Sequence, residues 1–260
     1  MSLRLTVLGG SAAWPNPGQG CSAYLVRSVR ATLLIDCGPD TMLELRNHVS
    51  PAAIDAVVIS HCHADHILDL VTLRYGLVYG ADKPAAPIPV WLPPGGAAIL
   101  SGLADALGGQ GERAGDFWES CFALREYDPG GQLEIEDVTL RFQATQHFTR
   151  CYAMRLRTTE GRSLVYSADT GRIDQLIDFA RGVDLLVSEA TADDHGDLPP
   201  EERGHITPED AGEWARQAEV RRLLLTHLWH ERPAATVVNR AAAQYAGPID
   251  VAMRGLTIYV

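Results

Sequence analysis

The 260-residue chain is 46% hydrophobic and 21% charged, the make-up of a folded globular protein, which excludes extended disorder. Its formal charge of -11 argues against a stable nucleic-acid scaffold, because an acidic surface repels polyanions at long range. A phosphate-bearing substrate survives that argument, since cations held in a cleft reverse the local field.

Taken in chain order, residues 3–8, 22–27 and 32–36 read as strands separated by Gly/Pro/Ser turns and a short basic turn. Residues 40–49 read as a helix, with Met42, Leu45 and Val49 at helical spacing and Asp40 as N-cap. Residues 54–59 form an apolar strand that stops just before His61, and 66–79 read as a helix. A proline-bounded strand at 88–92 and helices at 95–108 and 116–121 follow, then strands at 122–127, 133–136, 138–145 and 151–157. In the last third, strands at 163–167 and 184–188 flank a helix at 173–180. A helix at 208–218 leads to strand 222–226, and a helix at 233–245 precedes closing strands at 249–252 and 256–260. No repeat or interdomain linker interrupts the pattern, which reads as one α/β domain over 1–260. The opening residues are too short for a signal h-region and no apolar run reaches spanning length, so the expectation is a cytoplasmic protein with no membrane contact. Five scattered cysteines without a C-x-x-C pair predict neither a disulfide framework nor a cysteine-built zinc site.

The chemistry is concentrated in His61-Cys62-His63-Ala64-Asp65-His66, on the loop between a predicted strand and a predicted helix. His61 and His63, two apart on an extended segment, can chelate one ion. Asp65 and His66 begin a turn that can face a second. Imidazole nitrogen and carboxylate oxygen suit zinc, and manganese or iron accepts the same donors. Gathering four such groups without a function would cost desolvation with nothing to offset it. Further donors stand just past strands: His147, Asp169 in Ser167-Ala168-Asp169-Thr170-Gly171, and His227 in Leu223-Leu224-Leu225-Thr226-His227. Each alone is an ordinary polar loop residue; their common strand-end setting lifts them together. His48, His195 and His230 read as surface or rim residues and Arg150 as solvated, while Trp14 and Phe148 either line a pocket mouth or simply pack.

These residues make the chain resemble the metallo-β-lactamase superfamily, and within it the RNase Z and phosphodiesterase branch. Val7-Leu8-Gly9-Gly10-Ser11 and Ile35-Asp36-Cys37-Gly38 extend the likeness toward the N-terminus. The resemblance implies a four-layer αββα sandwich with two Zn2+ at the sheet edge: one held by His61, His63 and His147, the other by Asp65, His66 and His227, with Asp169 bridging. Asp65 would also orient the attacking water. Ser188-Glu189-Ala190-Thr191 resembles the branch's H-E-A-T stretch with serine for the first histidine, and Gly204-His205-Ile206-Thr207 its H-S-T stretch. That likeness implies His205 as general acid, oriented by Glu189. It also admits a homodimer.

Enzymes that process tRNA 3′ ends in this branch insert a long arm between the residues matching His147 and Asp169, and no arm fits the short gap here. The expected substrate is therefore a small phosphodiester, such as a cyclic nucleotide or an RNA 3′ end. An RNase Z-type tRNA endonuclease and an acyl (lactone or thioester) hydrolase on the same metals are the alternatives.

Overall fold

The structure, a computed structural model, describes residues 3–108 and 114–260. The first half of the chain runs β1 (Arg4–Ser11), β2 (Gly20–Cys21), β3 (Ala23–Arg27), β4 (Thr32–Ile35), α1 (Met42–His48), β5 (Ala56–Val58), α2 (Ala64–Ile67), α3 (Asp69–Tyr79), β6 (Ile88–Leu92), α4 (Gly96–Leu107), α5 (Ala114–Glu119) and β7 (Phe122–Glu126). The second half runs β8 (Gln132–Ile135), β9 (Val138–Ala144), β10 (Tyr152–Thr158), β11 (Ser163–Tyr166), α6 (Gln175–Phe179), β12 (Leu185–Glu189), α7 (Pro208–Gln217), β13 (Leu223–Thr226), α8 (Ala234–Ala242), β14 (Ile249–Val251) and β15 (Thr257–Tyr259).

One sheet has the order β15-β1-β3-β4-β5-β6-β7, with β2 on β1, and the other β14-β13-β12-β11-β10-β9-β8. Strand alternation decides the layers. In the first sheet Leu5, Val7, Tyr24, Val26, Leu33, Ile35 and Val58 point toward the second sheet, where Met154, Leu156, Leu164, Tyr166, Val187 and Leu224 meet them. The intervening residues Leu8, Leu25, Leu34 and Val57 point outward and pack beneath helical residues such as Leu45, Leu70, Leu73 and Leu100. Leu186, Leu223 and Leu225 do the same beneath α6, α7 and α8, with Trp214 filling that layer. The result is a helix–sheet–sheet–helix sandwich, as expected. Among the described residues no helix is long and apolar enough to cross a membrane. Cys21, Cys37, Cys121 and Cys151 are buried as small apolar side chains.

Strands β4 to β7 are parallel, as are β11 to β14. Each parallel run sends its connecting loops out of the carboxyl ends of its strands, which is where α/β sheets bind ligands. His147 to Asp169 is filled by the β10–β11 hairpin, whose strands pair from Met154↔Tyr166 to Arg157↔Ser163. The gap thus holds no arm.

Two local expectations are corrected. Asp40 does not cap α1, because its backbone is left-handed (φ 65) and the N-cap position falls to Thr41, whose side chain makes no capping bond. The cap comes from α3 instead: Asp69 Oδ2 accepts the N–H groups of Thr41 (2.8 Å) and Met42 (3.2 Å). The helix expected over 66–79 breaks at Leu68, because the Asp69 N–H bonds Cys37 O (3.0 Å) rather than the preceding turn. The short β2 and a 3₁₀ turn at Pro51–Ala53 carry too few residues to show a period. Removing the borrowed cap by Asp69→Ala strands two N–H groups and is expected to cost about 1–3 kcal/mol, read as a lower urea midpoint. A shift worth under about 0.5 kcal/mol would contradict this account of α1.

Candidate metal centre

The donors lie where the two sheets' strand ends converge. Asp36, Ala168 and His227, each just past β4, β11 or β13, have left-handed backbones with φ of 55, 51 and 55. Non-glycine residues adopt this conformation at a cost, and the strain here turns each chain sharply off its strand. Asp169 and His227 are thereby carried into the space that His61, His63 and His66 enter from the first sheet.

Two donor sets result. His61, His63, His147 and Asp169 form one, and Asp65, His66, Asp169 and His227 the other, each with its donor atoms within 4.8 Å of one another. Asp169 belongs to both. Its Oδ2 lies 3.7 Å from His61 Nε2, 3.7 Å from His147 Nε2 and 3.5 Å from His227 Nε2, while Oδ1 lies 3.5 Å from His66 Nε2. Asp65 Oδ2 lies 3.1 Å from His227 Nε2 and 3.5 Å from His66 Nε2. His63 Nδ1 approaches His147 Nε2 to 3.1 Å. His61 Nε2, His66 Nε2 and Asp169 Oδ1 are buried without any hydrogen-bond partner. Leaving polar atoms so stranded costs about 1–3 kcal/mol each, and a cation between them removes that cost. The residues therefore fit a metal pair.

The other ring nitrogens are tied down. His61 Nδ1 pairs with Ser60 Oγ (3.0 Å), whose hydroxyl donates to Asp36 Oδ2 (2.8 Å). His66 Nδ1 bonds the same carboxylate oxygen (2.8 Å), His147 Nδ1 bonds Gly204 O (2.9 Å), and His227 Nδ1 pairs with Thr191 Oγ1 (2.7 Å). With Nδ1–H donating outward in four rings, the Nε2 atoms are left facing the centre.

The electrostatics differ between the sets. Burial holds His61, His63 and His147 below the usual histidine range, so these rings are neutral and ready to donate lone pairs. Burial also opposes charge on His66, but Asp169 and Asp36 outweigh it and hold the ring protonated. Asp65 and Asp169 stay ionised against burial, Asp65 through its hydrogen bond with His227 and the nearby charge of His66, Asp169 through the charge of His227 and His66.

Beside both sets stands His205, its ring centroid 5.1 Å from that of His147 and 5.6 Å from that of His227. Its Nδ1 is gripped by Glu189 at 3.0 and 3.2 Å. The buried Glu189 also accepts the N–H groups of Thr170 (2.6 Å), Thr191 (3.3 Å) and Ile206 (3.4 Å), so its oxygens are saturated away from the centre. Burial lowers the affinity of His205 for a proton, yet Glu189 more than reverses this and pushes the ring up to about 9.

All seven anticipated donors are brought together, with Glu189 and His205 adjoining them. His48 pairs with Glu44, His195 with Asp210, and His230 is exposed. Arg150 donates to Pro94 O. Asp36, Ser60, Thr191, Tyr166 and the Gly204 carbonyl received no role from the sequence. Only Asp36 left a signal, as a carboxylate at the end of an apolar strand.

The profile of the Beta-lactamase superfamily domain matches residues 31–228. The chain belongs to the beta-lactamase superfamily. Its fold is that of a metallo-hydrolase of that superfamily. Among sequences, it is 32% identical to an uncharacterized Mycobacterium leprae protein, over 99% of this chain and 88% of that one. It is 28% identical to Ribonuclease Z of Myxococcus xanthus, over 98% and 97%. Among solved structures, the metallo-beta-lactamase fold protein YhfI of Bacillus subtilis superposes with TM-score 0.87 at 27% identity, covering 100% of both chains.

Two outcomes follow for this superfamily member. Asp36→Asn is expected to weaken metal affinity about 10–100-fold in a chelator competition, with Ser60→Ala falling between it and the parent; unchanged affinity would separate Asp36 from the centre. Because Asp169 and Asp36 favour the protonated form of His66, a metal bound beside that ring should release a proton, and metal affinity should fall as pH falls. Calorimetry in buffers of different ionisation enthalpy should register proton release, and none would contradict a protonated His66.

Proposed function

We propose that the chain is a metal-dependent phosphodiesterase that hydrolyses a small phosphodiester, such as a cyclic nucleotide or an RNA 3′ end. The observation that carries this reading is the Glu189–His205 pair, a proton donor fixed at the rim of the two donor sets. A sugar alkoxide is a poor leaving group and needs such a donor, whereas a thiolate departs without one. Its Nδ1 is committed to Glu189, so Nε2 is the nitrogen left to give a proton.

In this reading His61, His63 and His147 would hold one zinc and Asp65, His66 and His227 the other, with Asp169 available to both; manganese or iron would suit the same donors. When bound, the pair neutralises phosphoryl charge and makes water acidic near neutral pH. Asp65, held by the Ala13 N–H (3.0 Å) as well as by His227, orients the attacking water, whose proton passes to solvent. The water oxygen bonds phosphorus and the P–O bond to the leaving alcohol breaks. His205 supplies the proton that completes the alcohol, leaving a phosphomonoester. The plain β10–β11 hairpin supports a small substrate rather than a tRNA, as does the net charge of -11. Relatives named Ribonuclease Z support phosphodiester chemistry in general.

The test pairs bis(p-nitrophenyl) phosphate, whose phenolate leaves unaided, with the deoxydinucleotide d(ApA), whose alkoxide does not. Zinc-loaded protein should cleave both, and His205→Ala should lose about 10²–10⁴-fold on d(ApA) but much less on the nitrophenyl ester, with zinc content unchanged. Hydrolysis of a lactone or thioester with no diester turnover would overturn the proposal.

A further inference from the structure

A cavity of about 380 Å³ opens beside His205, bounded by Phe148, Thr191, Leu198, Arg203, His205 and Trp229. Its volume lies at the small end of the range for organic ligands, enough for one compact ring system. Phe148 and Leu198 are 71% and 52% exposed, large apolar side chains left to solvent at the edge of a polar site. The Phe148 ring lies on the backbone of Gly204, where a Cβ would come within 2.4 Å of it, and its centroid is 5.1 Å from that of His147 and 6.1 Å from that of His205. Glycine at 204 is therefore what lets an aromatic face stand next to the proton donor. Trp229 adds a second ring to the wall. Arg203, whose Nε donates to Leu198 O (2.9 Å), has terminal amines left for a ring heteroatom.

The rim has the opposite character. Residues 193–202 include Asp193, Asp194, Asp197, Glu201 and Glu202. Asp193 is paired with Arg232 and Arg240. The other four carboxylates have no basic partner among the described residues. Arg232 lines the cavity but is already engaged with the carbonyls of Ala190, Thr191 and Ala192, and Arg203 makes no ion pair with any of the four. Such a rim repels a further phosphate on whatever enters.

We propose that this cavity is the leaving-group subsite and that it selects an uncharged, planar alcohol of nucleoside size, with Phe148 as its stacking platform. The inference rests on the phosphodiesterase reading for the word "leaving", but the subsite itself is tested by binding. The alcohol's ring lies along Phe148 and Trp229, its oxygen reaches His205, and the acidic rim excludes chains that continue into another phosphate. The substrate class narrows accordingly to diesters whose leaving side ends in a nucleoside.

Adenosine is the probe, titrated into zinc-loaded protein by calorimetry. Saturable binding is expected, weakened about tenfold or more in Phe148→Ala and in Trp229→Ala. Phe148 is exposed enough that its truncation leaves the fold intact, and circular dichroism checks Trp229→Ala. In turnover, d(ApA) should be preferred over d(pApA), which carries a 5′-phosphate on the leaving nucleoside, and Asp194→Asn combined with Glu201→Gln should narrow the preference. Adenosine that fails to bind, or that binds both variants as it binds the parent, overturns the subsite. So does equal turnover of the two dinucleotides. Failure of the phosphodiesterase reading would appear separately, as absent cleavage of bis(p-nitrophenyl) phosphate.

Discussion

The centre depends on one buried carboxylate. Asp36 accepts the Ser60 N–H (2.7 Å) and hydroxyl (2.8 Å), the His66 ring (2.8 Å) and the Tyr166 hydroxyl (2.9 Å). Tyr166 belongs to the second sheet and the others to the first, so this side chain ties the two sheets together beneath the donors. A carboxylate sealed from water is costly unless its lone pairs are satisfied, and here four donors satisfy them. The same bonds orient His66 directly and His61 through Ser60. Architecture and ligand geometry thus share one anchor.

The two donor sets built on that anchor are chemically unequal. The first is rich in neutral imidazoles, desolvated and without competing protons. The second holds two carboxylates and a histidine that they keep charged. Carboxylate charge therefore favours a protonated ring in the second set and burial a neutral one in the first. Asp169, shared by both, couples them.

Around this centre the loops divide the work by sheet. The first sheet supplies four donors from one short segment, while the second supplies His147, Asp169 and His227 one at a time, past the ends of β9, β11 and β13. The second sheet also carries Glu189, His205 and the aromatic wall beyond them. Proton donor and ring-binding surface therefore stand on the same side of the centre, as they must if both serve the departing group. The strained backbones at Asp36, Ala168 and His227 are the local cost of bringing two sheets to one point.

Much of this was legible in the sequence because it is local. The spacing within His61-x-His63-x-Asp65-His66 fixes which side chains can share an ion, and apolar alternation fixes which strands have a buried face. Strand-end placement of His147, Asp169 and His227 followed from the same patterns, and the resemblance joined Glu189 to His205. What only the tertiary structure decided involves partners far apart in the chain: Tyr166 with Asp36, Asp69 with Thr41, Thr191 with His227, and Phe148 lying on Gly204. A residue's own neighbours carry no trace of such a partner, since an isolated aspartate, threonine or glycine reads as an ordinary turn residue until folding brings its counterpart within hydrogen-bond or van der Waals reach.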